Sequence, residues 1–370
     1  MKNIVNLGNV ATYINGYAFK PSDWAEDGTP IIRIQDLTGN FYQMNRFKGI
    51  VDSKYDVNSG DVLISWSASL GVYVWNRGNA VLNQHIFKVV FDKEEVDKDF
   101  FVFQIDNLLK RAANQAHGAT MRHLTKPVFD ALPFYLPDIK TQRLISSKLN
   151  LIVHLIEDHH EQLKKLDELI RSRFIEMFGD LINEPKYPGI KLGSLGVMIT
   201  GGTPSRKHDE YYGGNIPFIS TPCLGSNFIS EKNVQNYLTE AGVKNSATHK
   251  IPPYSLMVGN RVGVGKSSIN TCEMCTNQDI LSFVHIDTNR FDLLFLKKVI
   301  DQYSPYFDEH KRGATIQGVP SKVIKDSMVP DVPLEMQKRY TALVKQSDKS
   351  KYGGTIFLRL LEDICICCNI

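Results

Sequence analysis

The sequence predicts an α/β (α+β) fold: two similar mixed α/β domains separated by long coiled-coil-forming helices, related as a pseudo-twofold internal repeat. Three observations predict it. Residues 142–178 form one stretch of helical sequence with no Pro and no Gly. Short runs of strand-like sequence flank that stretch on both sides. A set of sequence anchors occurs once before it and once after it, in the same order.

Residues 1–141 read as short strands and turns with at least one helix. Residues 31–34, 62–66, 71–75 and 85–90 combine β-branched and aromatic side chains between turn signals. Residues 97–113 have helical spacing, with Phe100, Phe103, Leu108 and Leu109 able to share a face.

In residues 142–178 apolar side chains recur at alternating steps of four and three: Ile145, Leu149, Ile152, Ile156, then Leu163, Leu166, Ile170 and Met177. His159 and Arg173 are the polar members of this heptad seam. At about 1.5 Å per residue the helix is a rod of roughly 55 Å. Its surface is mostly polar, so the seam needs a partner helix, and the rod would hold its flanking domains at a fixed separation.

Residues 190–336 repeat the first domain. Leu7-Gly8 recurs as Leu192-Gly193, and Gly16 corresponds to Gly201 or Gly202. Pro30-Ile31-Ile32 recurs as Pro217-Phe218-Ile219, and Leu63-Ile64 as Met257-Val258. Asn83-Gln84-His85-Ile86 recurs as Asn277-Gln278-Asp279-Ile280. Gly118-Ala119-Thr120 and Gln142 recur 195 positions later as Gly313-Ala314-Thr315 and Gln337. Beyond Gln337 the copies diverge. Residues 338–351 can start a helix, but Gly353-Gly354 is expected to interrupt it. The apolar, cysteine-rich tail then adds at most a few turns, leaving a second rod much shorter than the first.

Composition bounds the chemistry. A net charge of +3 over 370 residues makes any nucleic-acid surface local rather than global. The N-terminus has no apolar signal-peptide core, and no apolar run approaches a membrane span of about 18 residues. The six cysteines sit unevenly, with none in the first half. That is no disulfide framework, so a reducing, cytoplasmic location is expected.

Several motifs have plain readings. Gly263–Ser267, GVGKS, ends like a Walker A loop, but the required glycine five residues before Gly265 is Asn260, and a hairpin turn fits better. Ile251–Tyr254, IPPY, is similar to the catalytic tetrapeptide of amino-methyltransferases, whose first residue must be polar; here it reads as a turn before a strand at Leu256. Cys272 and Cys275 have only Cys223 nearby, too few for a four-ligand zinc site. His154, His159 and His160 ride on the rod. With no Ser/His/Asp constellation, nucleotide cradle or metal cluster, neither catalysis nor a cofactor is expected.

The sharpest functional signal is the Gly-Ala-Thr loop in each copy. No acidic residue occurs between Asn107 and Phe129, a span holding Lys110, Arg111, Thr120, Arg122, His123 and Lys126. None occurs between Lys311 and Lys325 either, a span holding Arg312, Thr315, Gln317 and Lys322. Cations, hydroxyls and exposed N–H groups beside glycine suit phosphate contact. Segments that differ between the copies carry base-edge chemistry: Arg33, Gln35, Arg46 and Lys48 in the first, and Arg206, Lys207, His208, Asn227 and Arg261 in the second. Arg suits guanine, and Asn or Gln suits adenine.

Taken together, the Leu-Gly openings, the Pro30 and Pro217 strands, both Asn-Gln pairs, both Gly-Ala-Thr loops and the Pro137 to Gln142 and Pro333 to Gln337 lead-ins resemble the specificity subunits of type I restriction–modification systems. The resemblance covers about residues 4–352. It implies target-recognition domains at residues 1–141 and 190–336, each reading one half of a split double-stranded DNA sequence. It implies a central conserved helical spacer at residues 142–189 and a distal conserved helix at residues 337–370, here truncated. It further implies two methyltransferase subunits docked through Leu149, Ile152, Ile156, Leu163, Leu166 and Ile170, with restriction subunits joining the full complex. The family's distal helix matches the central one in length, so the early stop expected here puts tight assembly in question. Two other readings stand beside this one: an orphan coiled-coil adaptor with two protein-binding domains, and a stand-alone methyltransferase or nucleotide-dependent enzyme.

Overall fold

The computed structural model describes residues 3–39, 44–115, 125–313 and 317–367. The chain forms two compact units. One comprises residues up to 160 together with those from 355 onward; the other comprises residues 161–354.

In the first unit the chain runs through β1 (Ile4–Asn6), β2 (Thr12–Asn15), β3 (Thr29–Ile32), α1 (Ile34–Leu37), β4 (Arg46–Phe47), β5 (Asp56–Val57), β6 (Val62–Ser65), β7 (Gly71–Val74), β8 (Ala80–Leu82), β9 (Ile86–Val90), α2 (Lys98–Gln115), α3 (Lys126–Asp130) and β10 (Pro133–Tyr135), then enters α4 (Ile139–Phe178). One sheet has the order β2-β9-β6-β7 and a second the order β4-β3-β8-β5, with β3 and β8 parallel; β1 pairs with β10. Strand β6, of sequence VLIS, is buried throughout. Its alternation serves two cores. Val62 and Ile64 join Phe87, Phe101, Ile105 and Phe134, whereas Leu63 joins Ile32, Trp75 and Leu82. On α2, Phe101, Ile105 and Leu109 recur every fourth residue and are buried. Phe101 takes the inward place that the spacing gave to Phe103, which is half-buried.

The second unit begins within α4 and continues through β11 (Gly179–Asp180), β12 (Glu184–Pro185), β13 (Gly189–Lys191), β14 (Val197–Thr200), β15 (Tyr212–Ile219), β16 (Phe228–Ile229), β17 (Asn236–Leu238), α5 (Glu240–Lys244), β18 (Lys250–Ile251), β19 (Leu256–Gly259), β20 (Ser267–Asn270), β21 (Met274–Thr276), β22 (Ile280–Val284), α6 (Leu293–Glu309), α7 (Ser321–Lys325) and β23 (Met328–Pro330), and into α8 (Leu334–Cys367). Its sheets run β14-β22-β19-β20-β16 and β17-β15-β21-β18, with β13 paired to β23. Strand for strand this is the first unit again, with the β11–β12 pair added after α4 and β16 added at one sheet edge, parallel to β20. The alternation recurs too: Leu256 and Val258 of β19 face the main core and Met257 the smaller one.

The same hydrogen-bonded clasp ties helix to domain in both units. Gln142, buried, donates from Nε2 to the carbonyl oxygens of Pro137 and Glu95 at 2.8 and 3.3 Å, and its Oε1 accepts the Asp97 N–H at 2.9 Å. Gln337 donates to Val332 and Arg290 at 2.9 and 3.0 Å and accepts the Asp292 N–H at 2.9 Å. Asp97 and Asp292 in turn accept from Phe100 and Phe295 N–H at the starts of α2 and α6, both at 3.0 Å.

The long helix spans 40 residues, about 60 Å. Its expected seam is its less exposed face: Leu149 is buried, and Ile145, Ile152, Ile156, His159, Leu163, Leu166, Ile170, Arg173 and Met177 are half-buried. The second helix departs from expectation. It does not stop near Gly353 but runs 34 residues, through both glycines, to Cys367. Its seam is Gln337, Tyr340, Val344, Ser347, Lys351, Gly354, Leu358 and Leu361, all buried or half-buried at steps of three and four. Polar and small residues at Ser347, Lys351 and Gly354 hid this heptad from a search for apolar periodicity. Tyr340 packs on Phe174 and Phe178 of α4, and Lys351 pairs with Asp167. In the first unit the His159 ring lies 4.8 Å from that of Phe357.

Candidate nucleic-acid interface

Glycine sets the geometry of the second unit's site. A Cβ on Gly201 would stand 2.2 Å from the Asn277 carbonyl oxygen, so only glycine lets the chain leaving β14 pass the Asn277–Asp279 turn. Gly16 occupies the same place in the first unit, where a Cβ on it would stand 2.1 Å from the Asn83 carbonyl oxygen. Each turn is pinned to its β15 or β3 neighbour, by Asn277 N–H to Ile219 O at 3.1 Å and Asn83 N–H to Ile32 O at 3.1 Å.

From this turn the second unit's side chains spread two ways. On one side Asn277 Nδ2 donates to Asp279 at 3.2 Å, and Asp279 faces the Arg261 guanidinium at 3.7 Å. Arg261 lies on the hairpin between β19 and β20, whose Asn260 carbonyl accepts the Val319 N–H at 2.7 Å. Gly318 presses against Asn260 and Arg261 and exchanges N–H···O bonds with Arg312 at 2.8 and 2.9 Å. Arg261, Arg312 and Gln317 therefore share one exposed ridge with the turn, and Lys322 follows on α7. On the other side the Thr203 hydroxyl donates to Gln278 Oε1 at 2.6 Å. There a cavity of about 650 Å³ opens, lined by Thr203, Arg206, Asp209, Asn236, Asn277 and Gln278, with Tyr212 and Phe218 as its aromatic wall.

In the first unit the ridge has another chemistry. His85 and Trp66 take the places of Asp279 and Asn260: the Trp66 N–H donates to His85 O at 3.4 Å, as the Asn260 N–H donates to Asp279 O at 2.9 Å. The Trp66 ring lies 5.1 Å from His85, and its Nε1 donates to Asn15 Oδ1 at 3.2 Å. Arg33 caps α1: its N–H donates to Asp36 at 2.9 Å, its Nε lies 3.9 Å away, and its guanidinium sits 5.5 Å from the Trp24 ring centre. Burial pushes the Asp36 carboxyl above its ordinary value, against the pull of its hydrogen bond to Arg33 and of the Arg33 and Arg77 charges. Half-buried Gln35 belongs to the same turn.

The sequence-derived cations divide by partner. Lys110 pairs with Asp106 at 2.7 Å, Lys126 with Asp130 at 2.9 Å and Lys311 with Asp308 at 2.6 Å. Lys126 also lies 5.4 Å from the Tyr13 ring centre. Arg111 is exposed on α2. Arg206 and Arg312 are exposed, with no ion pair to either guanidinium among the described residues. Thr120, Arg122, His123 and Thr315 lie outside the described residues. Sequence reasoning did not single out Thr203, Asn236 and Gln278, which line the cavity; the recurrence of the Asn-Gln pair was the signal that pointed to Gln278.

The remaining motifs resolve structurally. GVGKS closes the β19–β20 hairpin, with Gly263 and Gly265 at φ of 64° and 77°. IPPY leads from β18 through Tyr254 into β19. Cys275 is buried in β21, where burial pushes its thiol up to about 11. Among the described residues no group of three or more His, Cys, Asp or Glu is placed to hold a metal, and no helix is long and apolar enough to cross a membrane. On the helices of the second unit an apolar groove of about 550 Å³ is lined by Leu166, Leu169, Ile170 and Leu343. Leu169 is exposed there, as are Leu144 and Leu151 further up α4.

Comparison with known proteins adds three findings. The model of the type I restriction modification DNA specificity domain matches twice, over residues 2–168 and 187–352. Among curated proteins, the chain is 25% identical over 170 residues to the type I restriction enzyme EcoBI specificity subunit of Escherichia coli, covering 45% of this chain and 35% of that one. It is 26% identical over 155 residues to the MjaIX specificity subunit of Methanocaldococcus jannaschii, covering 41% and 36%. The matched stretch thus spans about a third of the length of these relatives. Among solved structures, a chain from a study of complex assembly and conformational transition of the type I R-M system superposes with a TM-score of 0.67 at 14% identity, covering 99% of this chain and 96% of that one. The type I S subunit from M. genitalium superposes with a TM-score of 0.56 at 13% identity, covering 100% and 95%.

Proposed function

This chain belongs to the type I restriction modification DNA specificity family, and on that premise we propose that it is a non-catalytic subunit that selects a bipartite double-stranded DNA target for its partners. The observation that carries the proposal is the doubled site. In both units a glycine, an Asn-Gln turn and a hairpin meet at one place, and in the second the ridge continues into the arginine-bearing loop of Arg312. The two ridges differ in chemistry, ionic at Arg261 and Asp279, aromatic at Trp66 and His85. Two unlike readers select two unlike half-sites.

Residues 1–141 and 190–336 act as the target-recognition domains, and 142–189 and 337–370 as the conserved helices. Sequence-derived cations with no ion pair among the described residues, Arg206, Arg312 and Lys322, are the first candidates for DNA contact. Two methyltransferase subunits dock on the helices, and restriction subunits join the full complex. Leu149 is buried, so docking falls to the groove lined by Leu166 and Ile170 and to exposed side chains such as Leu144, Leu151 and Leu169. Family membership favours this reading over an adaptor that binds only proteins.

Co-purification tests the assembly: two methyltransferase subunits per chain are expected. Binding by that complex should be sequence-selective and steeply salt-dependent. A complex that holds random duplexes as tightly as every selected one contradicts the proposal.

A further inference from the structure

The second unit's cavity brings together hydrogen-bonding groups of the kinds that match one base pair. Gln278 Oε1 accepts a hydrogen bond from the Thr203 hydroxyl at 2.6 Å. That bond fixes the carboxamide and leaves its two N–H groups for the cavity. Arg206, on the same lining, is exposed and has no ion pair among the described residues. Its planar fork of donors suits two adjacent acceptors. Asp209, also exposed on the lining, supplies a carboxylate acceptor. The Tyr212 ring behind them is fixed by its hydroxyl, which donates to Pro204 O at 2.6 Å.

Donors beside one acceptor distinguish base pairs. In the major groove guanine offers two acceptors, N7 and O6, and its cytosine partner offers the N4 donor. Adenine offers one acceptor and one donor, and thymine adds a methyl group, which would set a donor against donors and a methyl against a carboxylate. We propose that this cavity reads one G·C pair in the half-site of the second domain, Arg206 and Gln278 contacting guanine and Asp209 its cytosine partner. The inference rests on the reading of the chain as a DNA-recognition subunit and deepens it. The first domain lacks the device. Gly16 and Gly201 hold equivalent places, donating to Ile86 O at 3.1 Å and Ile280 O at 3.2 Å. Two residues on, Ala18 stands where Thr203 stands, so no hydroxyl fixes Gln84 in the same way.

Selection from a pool of random duplexes, using the full-length chain in the complex with which it purifies, tests this. The wild type should select a split sequence with an invariant G·C pair in one half. Arg206→Ala should lower discrimination at that pair by roughly 5- to 150-fold and leave the other half unchanged, and Asp209→Asn should relax the same pair. A change made in the DNA keeps the protein intact: replacing that guanine by 7-deazaguanine, which lacks N7, should weaken wild-type binding but not that of Arg206→Ala. If Arg206→Ala and Gln278→Ala both select the wild-type sequence with wild-type stringency, the inference is overturned. If the wild type selects no split sequence, the recognition reading itself fails and takes the inference with it.

Discussion

Gly354 of α8 faces Leu163 of α4 so closely that a Cβ on the glycine would stand 3.3 Å from Leu163 Cδ2. A Cβ on its neighbour Gly353 would meet nothing within 4 Å. One glycine is a seam position and the other a solvent position of a continuous helix. Gly353→Ala should therefore stabilise the chain by about 0.5–1 kcal/mol, because glycine is a poor helix former. Gly354→Leu should destabilise it, because the added branches meet Leu163. Gly353→Pro should cost about 3 kcal/mol. Chemical denaturation checks all three, and neutrality of the proline variant would contradict a helix running through this point.

The Gln337 clasp predicts a larger loss. The side chain is buried and makes three hydrogen bonds to backbone groups of Val332, Arg290 and Asp292. Gln337→Ala should cost about 2–4 kcal/mol, because it removes three hydrogen bonds at once, the one to Val332 from a buried setting and the other two from part-buried ones. Gln142→Ala should do the same in the first unit. A loss below about 0.5 kcal/mol in either would show that water replaces the carboxamide.

Lys297 gives the second unit a pH signature. The residue is 3% exposed, and its ammonium group pairs with Asp301 at 2.8 Å. Burial holds its pKa below the ordinary 10.5, with Lys298 adding to the effect and Asp301 and Asp348 opposing it. A lysine depressed on folding binds fewer protons folded than unfolded in the window below 10.5, so its contribution grows more favourable as pH rises towards that value. The stability difference between wild type and Lys297→Met should move in the wild type's favour on that climb. A constant difference would contradict the depressed pKa.

Arg312 and Arg206 make separable predictions. Arg312 is anchored through its backbone to Gly318 and leaves its guanidinium exposed. Arg312→Ala should weaken DNA binding about equally across sequences and flatten the salt dependence by about one unit of slope. Fluorescence titrations at several salt concentrations measure this. An unchanged slope with lost discrimination at one base pair would instead make Arg312 a base reader.

Much of this was legible in the sequence because it rests on local patterns. The heptad of α4 runs from Ile145 to Met177 with apolar residues at most of its places, and paired anchors such as Gln142 and Gln337 survive in both copies. What escaped depends on partners distant in sequence. Ser347, Lys351 and Gly354 are seam residues only because α4 lies against them, and Gly354 is small because Leu163 is near. Arg33 reads as a base contact until buried Asp36 and the Trp24 ring claim it. Gln278 joins the cavity lining beside Thr203, 75 positions earlier, whose hydroxyl bonds its amide.

Sequencing of modified bases in the genome of a host carrying this chain and its methyltransferase subunits tests the central claim most directly. The account predicts methylation of a split motif on both strands, with two unlike halves, that disappears when the chain is deleted. Modification of one continuous motif, or a methylation pattern unchanged by the deletion, would contradict it.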